Sequence, residues 1–359
     1  MVEIETIRYE LSQINRSPNL KKSVISYQAQ KFFHASSLTD ADKLNFAVEI
    51  LEDPDGIEAV AELFGIRYVS PDLPDRLAQL AGLGHAVDLV SNHTCHGDGI
   101  GLARVCNVIT NKARKLHYDH PDMYLEFDGF YLPVAQSLVN GHQDDGDPLQ
   151  KKRRLYEASL PYLNRNHIIT VGIPRDRSKN ETDDWNKELT REFKDHSLVN
   201  ARGVLIFAEG TTEGGRYQTS ENGVIIEPPR LNGLQKPPAL GQFLSAKILN
   251  GSSVFVPIAI DGSYRIFDPN GYKITKEAVR ITARNLFFSQ FPQSLATVTV
   301  GNPIVFSELD KETQNMLVNA CKNKDYDTVT EFYMLKIAEL LPEYAWGYYA
   351  DAMKARSSV

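Results

Sequence analysis

Short runs rich in β-branched residues alternate with longer amphipathic stretches from about residue 80 onward. Because parallel strands are joined by crossover helices, this alternation predicts a mixed, mostly parallel sheet flanked by helices. The continuous apolar segment 204–207 indicates a strand that is buried on both faces. The predicted strands are Ala86–Ser91, His167–Ile173, Gly203–Ala208, Ser253–Ile260 and Ala296–Val300. The predicted helices span about 99–118, 149–165, 182–198, 234–249 and, in the tail, 325–355.

The first 80 residues differ from the rest, and we predict that they are helical. Thr39-Asp40-Ala41-Asp42 resembles a capping box with Asp in place of Glu, and apolar residues then recur at helical spacing. The segment Ser70–Pro74 contains two prolines and predicts a linker. We therefore divide the chain into a smaller helical N-terminal domain, residues 1–78, and an α/β domain with a C-terminal helix, residues 79–359.

Charge and cysteine content exclude several classes of protein. Lys and Arg total 39 against 46 Asp and Glu, a formal net charge of −7, which is not the basic balance of a nucleic-acid-binding protein. Three cysteines without a Cys-x-x-Cys pair indicate a reducing compartment and no structural zinc site. The N-terminus lacks the apolar stretch of a signal peptide, and the longest apolar runs are far shorter than the roughly 20 residues of a spanning helix. We expect a protein that is soluble or peripheral on a membrane.

The most informative polar segment is Ser91-Asn92-His93-Thr94-Cys95-His96-Gly97-Asp98, between a predicted strand and a predicted helix. Ligands in open α/β sheets bind at the carboxyl ends of strands. With Asp98 in the first helical turn, its carboxylate can hold one nitrogen of His93, so that the other nitrogen becomes a general base. Such a dyad suits direct attack by a substrate hydroxyl. The alternatives are a helix cap and a metal site that includes Cys95 and His96, for which the sequence offers no second ligand cluster.

Three further segments follow predicted strands. The glycines of 209–216 bring backbone N–H groups towards an anion, with Arg216 as a source of positive charge, and a Gly-rich surface turn is the alternative. Arg175 and Arg177 either clamp a phosphate or lie in a solvated loop with Asp176. In the third segment, Pro257 removes a ladder donor, so we expect it at an edge or a break of the sheet, where it also walls a pocket.

In this order, the four segments resemble the motif blocks of the glycerolipid acyltransferase family, which covers glycerol-3-phosphate and lysophosphatidate acyltransferases. The blocks are His-x4-Asp, an Arg-bearing block, Phe-x-Glu-Gly-Thr and Val-Pro-Ile, and the resemblance spans about residues 85–306. Val300-Gly301-Asn302-Pro303-Ile304 is similar to the last core strand of the family. The helical N-terminus without spanning helices is closest in layout to the soluble, plastid-type glycerol-3-phosphate acyltransferases.

The resemblance implies a role for each matching residue. His93 is the expected general base, and Asp98 is expected to orient it and stabilise its charge. Val256 and Pro257 are expected to shape a substrate pocket. Two family positions differ, since Ala208 stands in place of a proline and Thr212 in place of an arginine. The residues expected to bind the acceptor are Arg175, Arg177, Glu209, Gly210, Thr211 and, as the replacement for the missing arginine, Arg216.

The resemblance implies an O-acyltransferase without metal or cofactor. It would move a fatty acyl group from acyl-CoA or acyl-carrier protein to glycerol 3-phosphate or a lysophospholipid. The alternatives are a thioesterase or lipid hydrolase that uses the same dyad, and a non-catalytic lipid-binding module. We expect a cytoplasmic or stroma-like compartment, with a carrier protein and a membrane surface as candidate partners. Two groups of basic residues are candidates for contact with a carrier protein or a membrane surface. They are Arg104, Lys112, Arg114 and Lys115 on the predicted helix after the dyad, and Lys151–Arg154. The alternative is that these residues form a solvated helix face.

Overall fold

The structure of the protein is a computed structural model, and the residues that it describes fall into ranges separated by gaps. They are 65–69, 73–93, 98–135, 163–173, 203–208, 238–250, 253–266 and 294–357, together with 156–157, 160–161, 277–278 and 281. The predicted helical region 1–64 lies outside them, and so does the predicted helix 182–198.

Within the described ranges, eight strands form one mixed sheet, so the predicted fold class is confirmed. Its order is β1-β7-β6-β2-β5-β3-β4, and β8 pairs with β6 beside this path. The strands β6, β2, β5, β3 and β4 run parallel to one another, whereas β7 and β8 are antiparallel to β6. The strand bounds are β1 Ile66–Val69, β2 Ala86–Ser91, β3 Phe130–Ala135, β4 Ile168–Ile173, β5 Gly203–Phe207, β6 Ser253–Asp261, β7 Ala296–Val300 and β8 Ile304–Val305.

Helices cover both faces of this sheet. On one face, α1 and α2 pack on side chains such as Leu89 and Leu205, and on the other α3, α4 and α5 pack on side chains such as Val90 and Phe255. Because β2 lies in the middle of the sheet, all six of its residues are buried. The helix bounds are α1 Leu73–Gly82, α2 Asp98–Asp119, α3 Pro238–Asn250, α4 Lys311–Lys322, α5 Tyr326–Ala338 and α6 Ala350–Ser357. None of the helices in the described ranges is both long and apolar enough to traverse a bilayer.

Several expectations for the ends of the α/β region are corrected. Residues 66–69 were expected to be helical but form the edge strand β1, and the sheet therefore begins before the predicted boundary at residue 79. Leu73 and Pro74 open α1 rather than belonging to a linker, because proline is tolerated in the first turn of a helix. The helical tail 325–355 is two helices, α5 and α6, separated by short 3₁₀ turns.

Pro257 lies at a break in the sheet, as expected from its missing N–H. The strands β7 and β8 both run along the same side of β6, where β8 pairs with Val254 and Phe255 and β7 pairs from Ile258 onward. Pro257 falls between these two ladders, and its carbonyl accepts a hydrogen bond from the Gly301 amide at 2.8 Å. The proline is therefore accommodated inside a buried strand without leaving a ladder position unpaired.

A charged pair lies in the core directly below the end of β2. Asp88 on β2 and Lys247 on α3 are each 1% exposed, and the Lys247 ammonium is 3.4 Å from both carboxylate oxygens. Burial raises the pKa of Asp88 from 3.8 to about 6, although the Lys247 ammonium offsets part of this effect. The folded protein therefore binds more protons than the unfolded chain between about pH 4 and 6. In that window, the contribution of Asp88 to stability falls as the pH rises.

We predict that Lys247→Met destabilises the protein by about 3 to 5 kcal/mol at pH 8, because it leaves the buried Asp88 carboxylate without its counter-charge. At pH 5 the loss is smaller, since Asp88 is then mostly protonated in the folded state. Urea denaturation of both proteins at the two pH values measures these losses.

Two further variants serve as controls. Lys336→Met removes an ammonium that is 3.0 Å from Glu339 on the surface of α5, and its effect should stay below about 1 kcal/mol. The double variant Asp88→Leu/Lys247→Met should recover much of the lost stability. A Lys247→Met protein with wild-type stability at pH 8 would contradict the prediction.

Candidate active site

A His–Asp pair lies at the carboxyl end of β2, between β5 and β6. Nδ1 of His93 is 3.0 Å from Oδ2 of Asp98, which is the pairing predicted from their spacing. The His93 side chain is 15% exposed, whereas that of Asp98 is fully buried. An imidazole that reaches solvent and is supported by a buried carboxylate has the arrangement that general-base catalysis requires.

Asp98 is the first residue of α2 and so lies in the first helical turn, as expected from the sequence. Negative charge is favourable at this position because the backbone N–H groups of the first helical turn point towards it. Its second oxygen, Oδ1, accepts a hydrogen bond of 2.5 Å from the hydroxyl of Ser263, which follows β6. The carboxylate therefore has a donor on each oxygen, and the two donors come from different elements.

Asn92 ties the end of β2 to the end of β6. The last ladder partner of β2 is Ser91, opposite Ile258. Beyond it, the Asn92 side-chain N–H donates to the Ile260 carbonyl at 2.8 Å, and the Ile260 amide donates to Oδ1 of Asn92 at 2.7 Å. The side-chain amide thus takes the place of a peptide group and extends the pairing. This contact differs from the helix cap that the sequence left open for Asn92.

Phe207, the last residue of β5, fixes the plane of the His93 ring. The two ring centroids are 4.1 Å apart, and the ring planes are inclined by 23°. The next residue, Ala208, donates its amide to the Ser91 carbonyl at 2.7 Å. Strand β5 therefore ends beside the dyad. The Glu-Gly-Thr segment follows directly in the sequence.

The predicted acceptor-binding residues lie outside the described residues, and the structure leaves them as predictions. They are Arg175, Arg177, Glu209, Gly210, Thr211 and Arg216. The strands that precede them are described, and they differ in position. β5 is the neighbour of β2, whereas β4 is three strands away, or about 14 Å at the usual strand spacing. The end of β5 is therefore closer to His93 than the end of β4 is.

The basic side chains of α2 are largely engaged within the protein. The Lys112 ammonium contacts the Asp75 carboxylate of α1, and Arg114 donates to the Phe127 carbonyl at 3.4 Å. The Arg104 guanidinium lies 5.2 Å from the centre of the Tyr68 ring. These contacts favour the alternative of a solvated, internally paired helix face over a docking surface for an anionic donor. The second basic run, Lys151–Arg154, lies outside the described residues.

Three other titratable side chains of the described residues are poor candidates for a general base or a nucleophile. Burial, together with the nearby Asp261 carboxylate, raises the pKa of Tyr264 to about 12, so its hydroxyl stays protonated at neutral pH. Burial likewise raises the pKa of the Cys106 thiol on α2 and of the Cys321 thiol on α4. No cluster of three or more metal-ligating side chains occurs among the described residues, and Cys95 and His96 are not among them.

Ser263 belongs to the site, although no sequence pattern indicated it. It lies just beyond the Val-Pro-Ile segment, and a single serine after a glycine carries no spacing signal towards Asp98, which is 165 residues earlier. The pairing of β2 with β6 brings the two together. The glycine at 262 was the available sign of a turn at this point, because its φ of 85° is in the left-handed region.

No protein-family model matches this chain, and no curated protein does either.

We predict that Asn92→Ala destabilises the protein by about 2 to 4 kcal/mol, because it leaves the buried N–H and carbonyl of Ile260 without these partners. The midpoint of urea denaturation measures the change. The control is Asn107→Ala, which removes the acceptor of a hydrogen bond of 2.8 Å from Asn111 on the surface of α2. That variant should stay within about 0.5 kcal/mol of wild type. Equal midpoints for the Asn92→Ala and wild-type proteins would contradict this role of Asn92.

Proposed function

We propose that the protein is an O-acyltransferase that uses His93 as its general base. The observation that carries this proposal is the contact of 3.0 Å between His93 and the fully buried Asp98 carboxylate at the carboxyl end of the central strand. The order of the four sequence segments supports the reaction class, because it resembles the glycerolipid acyltransferases. In this proposal the donor is acyl-CoA or acyl-carrier protein, and the acceptor is glycerol 3-phosphate or a lysophospholipid.

In the proposed reaction, His93 takes a proton from the acceptor hydroxyl and then gives a proton to the leaving thiolate. Nδ1 of His93 carries the proton that Asp98 holds, so Nε2 accepts the proton of the acceptor hydroxyl. The acceptor oxygen attacks the thioester carbonyl, the carbon–sulfur bond breaks, and the thiolate receives the proton from the imidazolium. The products are an ester and a free thiol. Asp98 stabilises the imidazolium between these two proton transfers.

The hydrogen bonding of Ser263 favours direct attack over a covalent enzyme intermediate. A serine nucleophile must give its proton to the histidine. The single hydroxyl proton of Ser263 is instead donated to Asp98. The described cysteines, Cys106 and Cys321, are buried thiols with raised pKa values, which disfavours the thiolate form.

The residues that we propose to bind the acceptor come directly after β5 and β4 in the sequence. Glu209, Gly210 and Thr211 come directly after the Phe207–Ala208 end of β5, which touches both His93 and Ser91. We propose that they hold the glycerol-phosphate end of the acceptor, with Arg216 in place of the family's missing arginine. Arg175 and Arg177 follow β4 on the same edge of the sheet, and in this proposal they bind the phosphate from its far side.

A soluble or peripheral enzyme in a cytoplasmic or stroma-like compartment fits this reaction. The donor is water-soluble as a CoA or carrier-protein thioester, whereas the acylated product is a lipid that enters a membrane. Lys151–Arg154 is the proposed contact with an anionic bilayer or an acidic carrier protein, at roughly 1 kcal/mol per charge on a bilayer.

We predict that His93→Ala lowers the acceptor-dependent release of thiol from palmitoyl-CoA by about 10² to 10⁴-fold, the usual contribution of a general base. The assay compares wild-type and variant protein with and without glycerol 3-phosphate. The control is His120→Ala, an exposed histidine beyond the end of α2 whose ring is 6.4 Å from that of Tyr124. That variant should keep wild-type activity.

Each outcome of this assay separates the candidate functions. Thiol release that needs both His93 and the acceptor supports the acyltransferase. Thiol release without an acceptor indicates a hydrolase. Absence of release with palmitoyl-CoA and with acyl-carrier protein, tested against glycerol 3-phosphate and a panel of lysophospholipids, overturns the proposal and favours a lipid-binding module.

A further inference from the structure

We infer that Ser263 is a positioning residue for the His93–Asp98 pair, an inference that rests on the proposed function for its kinetic part. Its hydroxyl is 2.5 Å from Oδ1 of Asp98, and the carboxylate can only accept, so Ser263 is the donor. The length is that of a charge-assisted hydrogen bond, which is about twice as strong as one between neutral groups.

The turn after β6 is built to deliver this hydroxyl. Gly262 has a φ of 85°, and a Cβ atom at this position would lie 2.2 Å from the Leu295 carbonyl oxygen. The amides of Arg265 and Ile266 then donate to the carbonyls of Gly262 and Ser263, both at 2.9 Å, and close a 3₁₀ turn. The buried Ser263 is thereby held in one backbone conformation.

The end of β6 is in turn fixed relative to the dyad. Asn92, the residue before His93, bonds both polar backbone groups of Ile260, three residues before Ser263. The histidine and the serine are therefore carried by two strand ends that are bonded to each other. Asp98 bridges them, since it accepts from His93 on one oxygen and from Ser263 on the other.

Two donors on opposite oxygens define the plane of the carboxylate. Rotation of the carboxylate about its Cβ–Cγ bond would carry Oδ2 away from the imidazole and Oδ1 away from the Ser263 hydroxyl. Ser263 opposes this rotation and stabilises the charged form of Asp98, whose side chain is fully buried. Its effect on the reaction is exerted through Asp98 and His93, and it is not expected to touch the substrate.

The test measures kcat and KM for acceptor-dependent thiol release in four proteins: wild type, Ser263→Ala, Asp98→Asn, and the double variant. We expect Ser263→Ala to lower kcat about 10- to 100-fold with little change in KM. In the Asp98→Asn background, the same change should have less than about a twofold effect, because the residue through which Ser263 acts has been altered. Equal losses in both backgrounds, or no loss, would overturn the inference.

The matched control is Ser294→Ala, which also deletes a serine hydrogen bond of 2.5 Å, to the Gly65 carbonyl at the β1 edge of the sheet. It should leave kcat unchanged. If Ser263→Ala does not fold, Ser263→Cys fills a similar space with a weaker donor and should lower kcat by a smaller factor. A Ser263→Cys protein with wild-type kcat would then overturn the inference.

A spectroscopic measurement tests the role of Ser263 without relying on the proposed reaction. The Nδ1 proton of His93, bonded to Asp98, should give a downfield proton resonance in the NMR spectrum of wild type that is absent in His93→Ala. Ser263→Ala should weaken or shift it, whereas Ser294→Ala should leave it in place. If wild type releases no thiol, the proposed function fails while this signal still decides the role of Ser263. An identical resonance in Ser263→Ala and wild type would overturn that role.

Discussion

The site depends on the parallel pairing of β2 with β6 in the centre of the sheet. Six consecutive residue pairs, from Ala86 opposite Ser253 to Ser91 opposite Ile258, bring the two strand ends side by side. Asn92 extends the pairing by one more step through its side-chain amide. The contact between Asp98 and Ser263 follows from this alignment, because β2 leads into His93 and Asp98, and β6 leads into Ser263.

The central strand β2 also carries a buried charged residue below the site. Asp88 on β2 is buried against Lys247 of α3, so the central strand holds a charged pair in its middle and a dyad at its end. The two carboxylates are stabilised differently. Asp88 faces one ammonium, and burial raises its pKa. Asp98, at the N-terminus of α2, instead receives hydrogen bonds from the side chains of His93 and Ser263.

Sequence patterns predicted the features that depend on neighbouring residues. The strands 86–91 and 296–300 match β2 and β7 residue for residue, and the His93–Asp98 contact followed from a spacing of five across a strand–helix junction. Local patterns failed for β1 and β3. β1 has four residues at the edge of the sheet, and β3 contains Pro133, which lies beyond the two residues of β3 that pair with β5. Ser263 could not be predicted, since only the long-range pairing of strands brings it to Asp98.

Stacking on Phe207 determines how the His93 ring can move. A half-turn of the imidazole would replace Nδ1 with a carbon opposite Asp98, lose the contact of 3.0 Å, and sweep the ring edge past a neighbour whose centroid is 4.1 Å away. The His93 ring therefore keeps one orientation relative to Asp98. In the proposed reaction, the nitrogen that gives up its proton at the end of one cycle is then the nitrogen that faces the next acceptor, and no ring rotation is needed between cycles.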